Sequence, residues 1–388
     1  MVIILTIGII CEYNPFHNGH LYHLKKTKEL YPNSTIILVM SGNITQRGDI
    51  SIIDKWDKTD IALYYGIDIV IELPFIYACN SADIFAKGAI KILNELKVNK
   101  IVFGSEIDNI NILKKLASIQ INNNEYNKLV KKYINDGINY PTACGKALYN
   151  LTNININTPN DILGLSYIKE IFLNKYNIEP ISIKRTNDYH SINLNNDITS
   201  ATSIRESLKK HKNISKYIPI KTKDYLYNIK YLDNYFLLIK YKIISKDIDN
   251  IYEIDPHIKS RIYENINESN TLEELIINIK SKNYTYSRIK RLMIYILFNI
   301  TKDDFSNFKD YIRLLGFNNK GKKYLNNIKK KITIPVITNY SKGKEFLNID
   351  YKINSILCLI LPKDLQKKYI EKEIKEKIKI VVDNNNDM

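Results

Sequence analysis

Cysteine is scarce, and what there is stands apart. Cys11, Cys79, Cys144 and Cys358 form no CxxC pair and no Cys/His spacing of the kind that holds zinc. Neither a disulfide framework nor a zinc site is therefore expected, and a reducing cytoplasm is the compartment these cysteines fit. No apolar run reaches the roughly 20 residues that span a bilayer, so no membrane partner is expected. The opening MVIILTIGIIC lacks the basic start and the A-x-A-like cleavage site of a secretory signal, and it reads as a buried strand. No Ser/His/Asp or Cys/His arrangement marks a nucleophilic enzyme, no carboxylate cluster offers itself to a metal, and no internal repeat is evident.

What is present divides unevenly. A chain of 388 residues with 45% hydrophobic content has ample length to bury a core, and two domains are the natural expectation. Residues 1–200 carry 20 Lys and Arg against 19 Asp and Glu, whereas residues 201–388 carry 37 against 22, so nearly all of the net charge of +16 lies in the second half. A basic half beside a neutral one fits a polyanion-binding module, with nucleic acid the leading polyanion, attached to a chemical module. A lysine-rich solvated surface arising from AT-rich codons explains the same numbers equally well.

The first 105 residues alternate in a βα rhythm. Strands are predicted at 3–10, 35–41, 68–73 and 100–104, with helices at 20–31, 54–66 and 81–96 between them. Continuous Ile/Val strands between amphipathic helices predict an α/β domain with a parallel sheet covered on both faces. Ligands of such sheets bind beyond the carboxyl ends of the strands. A further strand at 179–185 and a helix at 199–211 follow. From about 218 the pattern is helical, including 286–300 and 308–317, with one late strand at 332–338. The boundary between the two domains, 1–215 and 216–388, falls in this transition.

Two short motifs carry chemistry. His17-Asn18-Gly19-His20 follows the first strand and opens a helix. Gly19 lets a phosphate approach the backbone, the free N–H groups of the helix start favour an anion, and two histidines can donate to phosphate oxygens as charge builds. The plainer reading is a polar turn with a helix cap. At Thr199 to Arg205, the hydroxyls of Ser200, Thr202 and Ser203 and the guanidinium of Arg205 sit at a second helix start, a phosphate cradle or an ordinary cap. Together the two motifs match the phosphate-contacting elements of the nucleotidyltransferase superfamily, which cleaves ATP between its α and β phosphates.

Other segments appear in order: SGNITQRGDISIIDKWDKTDIAL (41–63), ELPF (72–75), FGSE (103–106), PNDILGLSYIKE (159–170), IKR (183–185) and YSRIKR (286–291). With EYNPFHNGHLYH they resemble the bacterial tRNA(Met) cytidine acetate ligase family over most of the chain, most densely across 8–106 and 159–205. The resemblance implies a Rossmann-like HIGH-type nucleotidyltransferase domain with a parallel sheet, plus a mainly helical basic C-terminal domain that docks tRNA. It implies an ATP-dependent ligase that forms N4-acetylcytidine at the wobble position of elongator tRNA(Met). Acetate would give acetyl-adenylate and pyrophosphate, and the cytidine amine would then displace AMP. Two displacements on one platform need positioning and charge stabilisation rather than an enzyme nucleophile.

Carried over by motif, His17 and His20 are the catalytic pair. The ATP site comprises Ile10, Cys11, Glu12, Tyr13, Asn14, Pro15, Phe16, His17, Asn18, Gly19, His20, Leu21, Tyr22 and His23, joined by Gly104, Asn160 and Arg185. His23, three residues after His20 on the same helix face, reads instead as a packing residue. Gln46, Arg47 and Lys55 are candidates for the acetate or RNA side; Asp54 reads as a helix cap and Trp56 as core. Asp49-Ile50 and Lys58 stand where the family would favour Glu-Pro and Arg. Arg288, Lys290 and Arg291 are expected to contact tRNA phosphate, as are Lys320, Lys322, Lys323 and Lys329 to Lys331. Magnesium is expected to accompany ATP, with the triphosphate supplying most of its ligands. Two other functions compete: a small-molecule adenylyltransferase of the pantetheine-phosphate or nicotinate-nucleotide type, and a non-catalytic RNA-binding factor.

Overall fold

The computed structural model describes residues 5–185 and 199–381. Residues 3 and 4 of the first predicted strand lie outside this range. Eight strands form one sheet in the order β5-β4-β1-β2-β3-β6-β7, with β8 also on β6. They are β1 Thr6–Cys11, β2 Thr35–Ser41, β3 Ile69–Leu73, β4 Lys100–Ser105, β5 Glu179–Lys184, β6 Ile312–Asn318, β7 Val336–Ile337 and β8 Lys379–Val381. The first five are mutually parallel, as their unbroken aliphatic runs predict. Alternate residues of β2 serve opposite faces. Ile37 and Val39 pack with Phe85, Ala89 and Leu93 of the helix Ala82–Glu95. Ile36, Leu38 and Met40 pack with Trp56 and Ile61 of helix α2, Lys55–Tyr64, and with Leu24 of helix α1, Asn18–Leu30.

Between residues 220 and 306 the chain is helical, with a second core built around the helix Tyr286–Phe298. Ile44, Ile50, Phe75 and Ile76 of the first half join that core, so the halves share buried surface. One prediction fails instructively. Residues 308–317, read as a helix, contain β6, which lies antiparallel to β3 with Ile312 to Gly316 buried. A short apolar run buried on both faces has no periodicity that separates strand from helix. The sheet thus draws three strands from chain beyond residue 310. The strand expected at 332–338 shrinks to Val336–Ile337, beside Pro335, which lacks an amide proton for a ladder.

A buried charge cluster joins these elements. Lys55 Nζ, 1% exposed, contacts Glu72 of β3 at 2.9 Å and Glu373 of the helix Lys363–Lys375 at 2.9 Å. Asn354 donates to Glu373 Oε2 at 2.9 Å and Asn43 donates to Asn354 at 2.7 Å. The residue before Glu373, Lys372, ion-pairs with Asp54 and Asp57 at the start of α2. Arg313 of β6 is fully buried over the Trp56 ring, and Asp350 completes the group, accepting from the Tyr311 hydroxyl at 3.3 Å. Breaking a buried pair strands a charge without water, which costs far more than an exposed pair contributes. Glu373→Ala should therefore lower stability by about 3–5 kcal/mol in denaturant titration, leaving Lys55 half paired.

Burial first, then Glu72, pushes the Asp350 carboxyl up to about 7. The folded state therefore keeps a proton that the unfolded chain releases, and stability drains as pH rises from about 4 to 7. Asp350→Asn removes that drain. Its melting temperature relative to the parent should climb between pH 5 and pH 8; a constant difference would show that Asp350 is ionised throughout.

Candidate active site

At the carboxyl edge of the parallel strands lies a cavity of about 500 Å³, within the range of small-ligand sites. Its floor is the turn from β1 into α1. His17 caps α1 with extended backbone, and its Nδ1 accepts the Gly19 amide at 3.0 Å. In return His20 Nδ1 accepts the His17 amide at 3.3 Å, and the two ring centroids stand 3.8 Å apart. The histidines thus form a reciprocal capping box in place of the usual Ser/Glu pair.

This arrangement assigns their tautomers. A nitrogen that accepts from a backbone N–H carries no proton, so in each neutral ring the proton sits on Nε2. Burial depresses both groups. His17 is lowered to about 3, with Arg185 and Arg205 adding to the effect, and His20 is held well below the ordinary value by burial, His17 and Arg185. At neutral pH the site therefore presents two uncharged Nε2–H donors in a setting of low polarity, where such donors act most strongly on developing negative charge. His23, one turn on, is lowered to about 4 by burial and Arg185. It lines the cavity, and its Nε2 is buried without a hydrogen-bond partner, as are Asn14 Nδ2 and Thr199 Oγ1, which line it too. Buried polar atoms on a cavity wall call for a bound group to satisfy them.

The second helix start faces the first. Ser200 caps the helix Ala201–Lys209, accepting the Ser203 amide at 3.1 Å. Arg205 donates to the Asn14 carbonyl at 2.8 Å and to Thr202 Oγ1 at 3.3 Å, and pairs with Asp49 at 3.4 Å. Asp49 also pairs with Lys290 from the helix Tyr286–Phe298. Burial pushes the Asp49 carboxyl up, yet Arg205 and Lys290 outweigh it and hold it below the usual carboxylate range. Beneath, the buried Lys58 ammonium donates to the carbonyls of Glu12 at 3.0 Å, Ser41 at 2.8 Å and Gly42 at 2.7 Å, and burial lowers it to about 7.

The third wall comes from β4, β5 and the helix Pro159–Leu173. Glu106 links Asn160, whose Nδ2 donates to it at 2.6 Å, with Arg185, whose Nε lies at 3.3 Å. Asp161 ties the same loops together, accepting from Ser105 Oγ at 2.5 Å and the Glu106 amide at 3.1 Å. A methyl group added at Gly104 would meet Arg185 Cγ at 3.1 Å, so the bare backbone there accommodates the arginine that crosses it.

The cavity gathers Ile10 to Asn14, His17, Gly19, His20, Tyr22, His23, Gly104, Asn160, Arg185, Ser200, Thr202, Arg205, Gln46, Arg47 and Lys290. Four residues of the expected ATP stretch do not line it. Pro15 and Phe16 are buried, with Phe16 stacked on Tyr65 at 5.1 Å; Asn18 bonds the carbonyls of Tyr217 and Lys216; and Leu21 packs into the core. Ser203 is buried behind Ser200. Lys55, expected on the acetate or RNA side, belongs instead to the buried cluster, because Glu72 and Glu373 hold its ammonium away from the cavity. Asp54 caps α2, and Trp56 is core.

Among the cations expected on tRNA, Arg288 pairs with Glu253 and Asp255, and Arg291 is buried beside Glu253. Lys322 and Lys323 are exposed on the helix Asn319–Ile328, whose start packs on Asp68 ahead of β3. They therefore lie at the sheet edge opposite the cavity. Glu106 and Asp161 escaped sequence reasoning as site builders, although both stand inside quoted motifs. Asp161 meets Ser105 across 56 residues and Glu106 meets Asn160 across 54, with Arg185 farther still, and no local pattern signals these pairings. Among the described residues, no trio of His, Cys, Asp and Glu is grouped to hold a metal, and no helix is long and apolar enough to cross a membrane.

A parallel sheet with two phosphate-type helix starts, one of them His-x-Gly-His, facing each other over one cavity defines a nucleotidyltransferase. The sequence model of the HIGH Nucleotidyl Transferase family matches residues 4–373. The chain belongs to this family and, within it, to the tRNA(Met) cytidine acetate ligases. The enzyme of that name from Caldicellulosiruptor saccharolyticus is 42% identical over 340 residues, covering 84% of this chain and 85% of its own. The one from Anoxybacillus flavithermus is 35% identical over 394 residues, covering 95% and 98%. Crystal structures of Thermotoga maritima TmcAL superpose with a TM-score of 0.89 for the apo form, at 28% identity over 98% of this chain and 100% of that one. For the form bound with alpha-thio ATP the TM-score is 0.87, at 29% identity over the same shares.

The cap geometry makes one direct prediction. At pH 6, nitrogen chemical shifts of His17 and His20 should report neutral Nε2–H rings. Because both groups are depressed, stability is present above about pH 6.5 and is lost as pH falls toward their folded values. Imidazolium signals at pH 6 would contradict the reciprocal cap.

Proposed function

We propose that this chain is an ATP-dependent ligase that acetylates the exocyclic amine of the wobble cytidine in elongator tRNA(Met), in two steps in one cavity. The observation that carries the reading is the shape of that cavity. It begins at the paired histidines and runs without interruption to Tyr286, Ser287 and Lys290 of the basic half, so a nucleotide and an RNA acceptor can share it.

In the first step an acetate oxygen attacks the α-phosphorus of ATP. The Nε2–H groups of His17 and His20 donate to the oxygens on which charge gathers, and Arg185 and Arg205 supply fixed positive charge around them. The P–O bond to the β-phosphate breaks, pyrophosphate leaves and acetyl-adenylate remains. In the second step the cytidine N4 attacks the acetyl carbonyl and AMP leaves. Magnesium would arrive on the triphosphate, which would supply most of its ligands. Residues 1–215 handle the nucleotide and 216–388 dock the tRNA. This is a division of labour rather than of architecture, since β6, β7 and β8 complete the sheet. A cytoplasmic location suits an enzyme that uses ATP and tRNA.

Incubation with ATP, labelled acetate and a tRNA(Met) transcript should place label on one cytidine. Label-free RNA with adenylate on a small metabolite would instead support a small-molecule adenylyltransferase, and no ATP turnover with any acceptor would support a binding factor. His20→Ala should slow acetyl-adenylate formation about 10²–10³-fold, as expected for one lost transition-state donor, with tRNA affinity unchanged. Equal loss of both would contradict the division of labour. In salt titrations log K for tRNA should fall linearly with log salt; a flat response would mean that the excess lysines make no phosphate contact.

A further inference from the structure

Attack by an aromatic amine leaves a proton that must go somewhere, and His17 and His20 cannot take it. Their Nδ1 lone pairs are committed to backbone amides and their Nε2 atoms already carry hydrogen. Of the carboxylates on the cavity wall, Asp49 is locked between Arg205 and Lys290, Asp233 and Glu206 pair with Lys209, and Glu273 accepts from the Tyr286 hydroxyl. Glu12 alone has no side-chain partner among the described residues. It directly follows β1, lines the cavity between Cys11 and Tyr13, and among the described residues forms no ion pair.

Glu12 is nevertheless held in place. Its Oε1 accepts the Gln46 amide at 2.6 Å, and its backbone carbonyl accepts from Lys58 at 3.0 Å. A fixed, unpaired carboxylate is a poor neighbour for a triphosphate, which it repels. It suits a reaction step that begins after pyrophosphate has gone. We propose that Glu12 is the general base of acetyl transfer, taking the N4 proton of the acceptor cytidine. The nitrogen lone pair forms the N–C bond to the acetyl carbonyl carbon, the C–O bond to the adenylate phosphate breaks with its electrons on AMP, and the N4 proton passes to Glu12. Burial pushes the Glu12 carboxyl up, Asp49 adding to this against the Gln46 amide, Arg47 and Arg205, and a higher proton affinity makes it a better base than an exposed carboxylate. The buried Lys58 ammonium also faces it and draws the other way.

This inference rests on the acetyl-transfer reading, and the experiment separates the two. Wild type, Glu12→Gln and His23→Gln are compared in acetate-dependent ATP–pyrophosphate exchange and in single-turnover transfer from synthetic acetyl-adenylate to a tRNA(Met) transcript. Glutamine keeps an acceptor for the Gln46 amide, and thermal melting checks that the variant folds. For Glu12→Gln, transfer should fall about 10²–10⁴-fold, the usual contribution of a positioned base, while exchange falls far less. The rise of the wild-type transfer rate with pH should be absent in this variant. Parallel loss of exchange would assign Glu12 to nucleotide or metal binding and overturn the proposal. Unchanged transfer, or a loss that follows His23→Gln instead, would also overturn it. If wild type transfers no acetyl group at all, the functional reading fails first.

Discussion

The contact on which the rest of the structure depends is the buried pairing of Lys55 with Glu72 and Glu373. It joins the start of α2, the middle of the sheet and a helix more than 300 residues away in sequence, in surroundings without water. A buried ammonium is tolerated only when its charge is met from several sides. The demand for geometry is met by neighbours that are themselves bonded: Asn354 on Glu373, Asn43 on Asn354, and the Lys55 amide on Asn43. Because Asn43 begins the loop that later carries Gln46 and Asp49, the same network that closes the fold steadies one bank of the cavity.

Local chemistry made much of this legible. The parallel strands follow from their aliphatic runs, and the starts of α2 and of the helix at Ala201 follow from Asp54 and Ser200, each of which does cap. The histidine-glycine junction lies at the carboxyl edge because the βα rhythm puts it there. What was illegible depends on distant residues. The run IRLLGF looks the same in a buried helix and a buried strand, and only pairing with β3 decides it. Lys55 resembles a loop-side cation until Glu373 is brought beside it. Glu106 sits in a quoted motif, yet its service to both Asn160 and Arg185 exists only after three segments meet.

The histidines illustrate how a cap can be a chemical device. An ordinary Ser/Glu capping box satisfies backbone donors and ends there. With imidazoles the same two bonds also decide which nitrogen holds a proton, and burial keeps the rings neutral, so α1 begins with donors that need no reorganisation when an anion forms. The site thereby separates functions: rings that turn Nε2–H donors toward the cavity, arginines that supply fixed positive charge, and carboxylates of which all but Glu12 are engaged by other side chains.

Lys58 offers a last consequence. Its single nitrogen serves carbonyls from the end of β1 and from the end of β2, lone pairs that would otherwise point into a dry interior. The loop bearing the histidines and the loop bearing Gln46 to Asp49 thus share one rivet. The spacing of the two banks is set by hydrogen-bond lengths around one atom, and whatever opens or closes over them on the helical side moves against a fixed gauge.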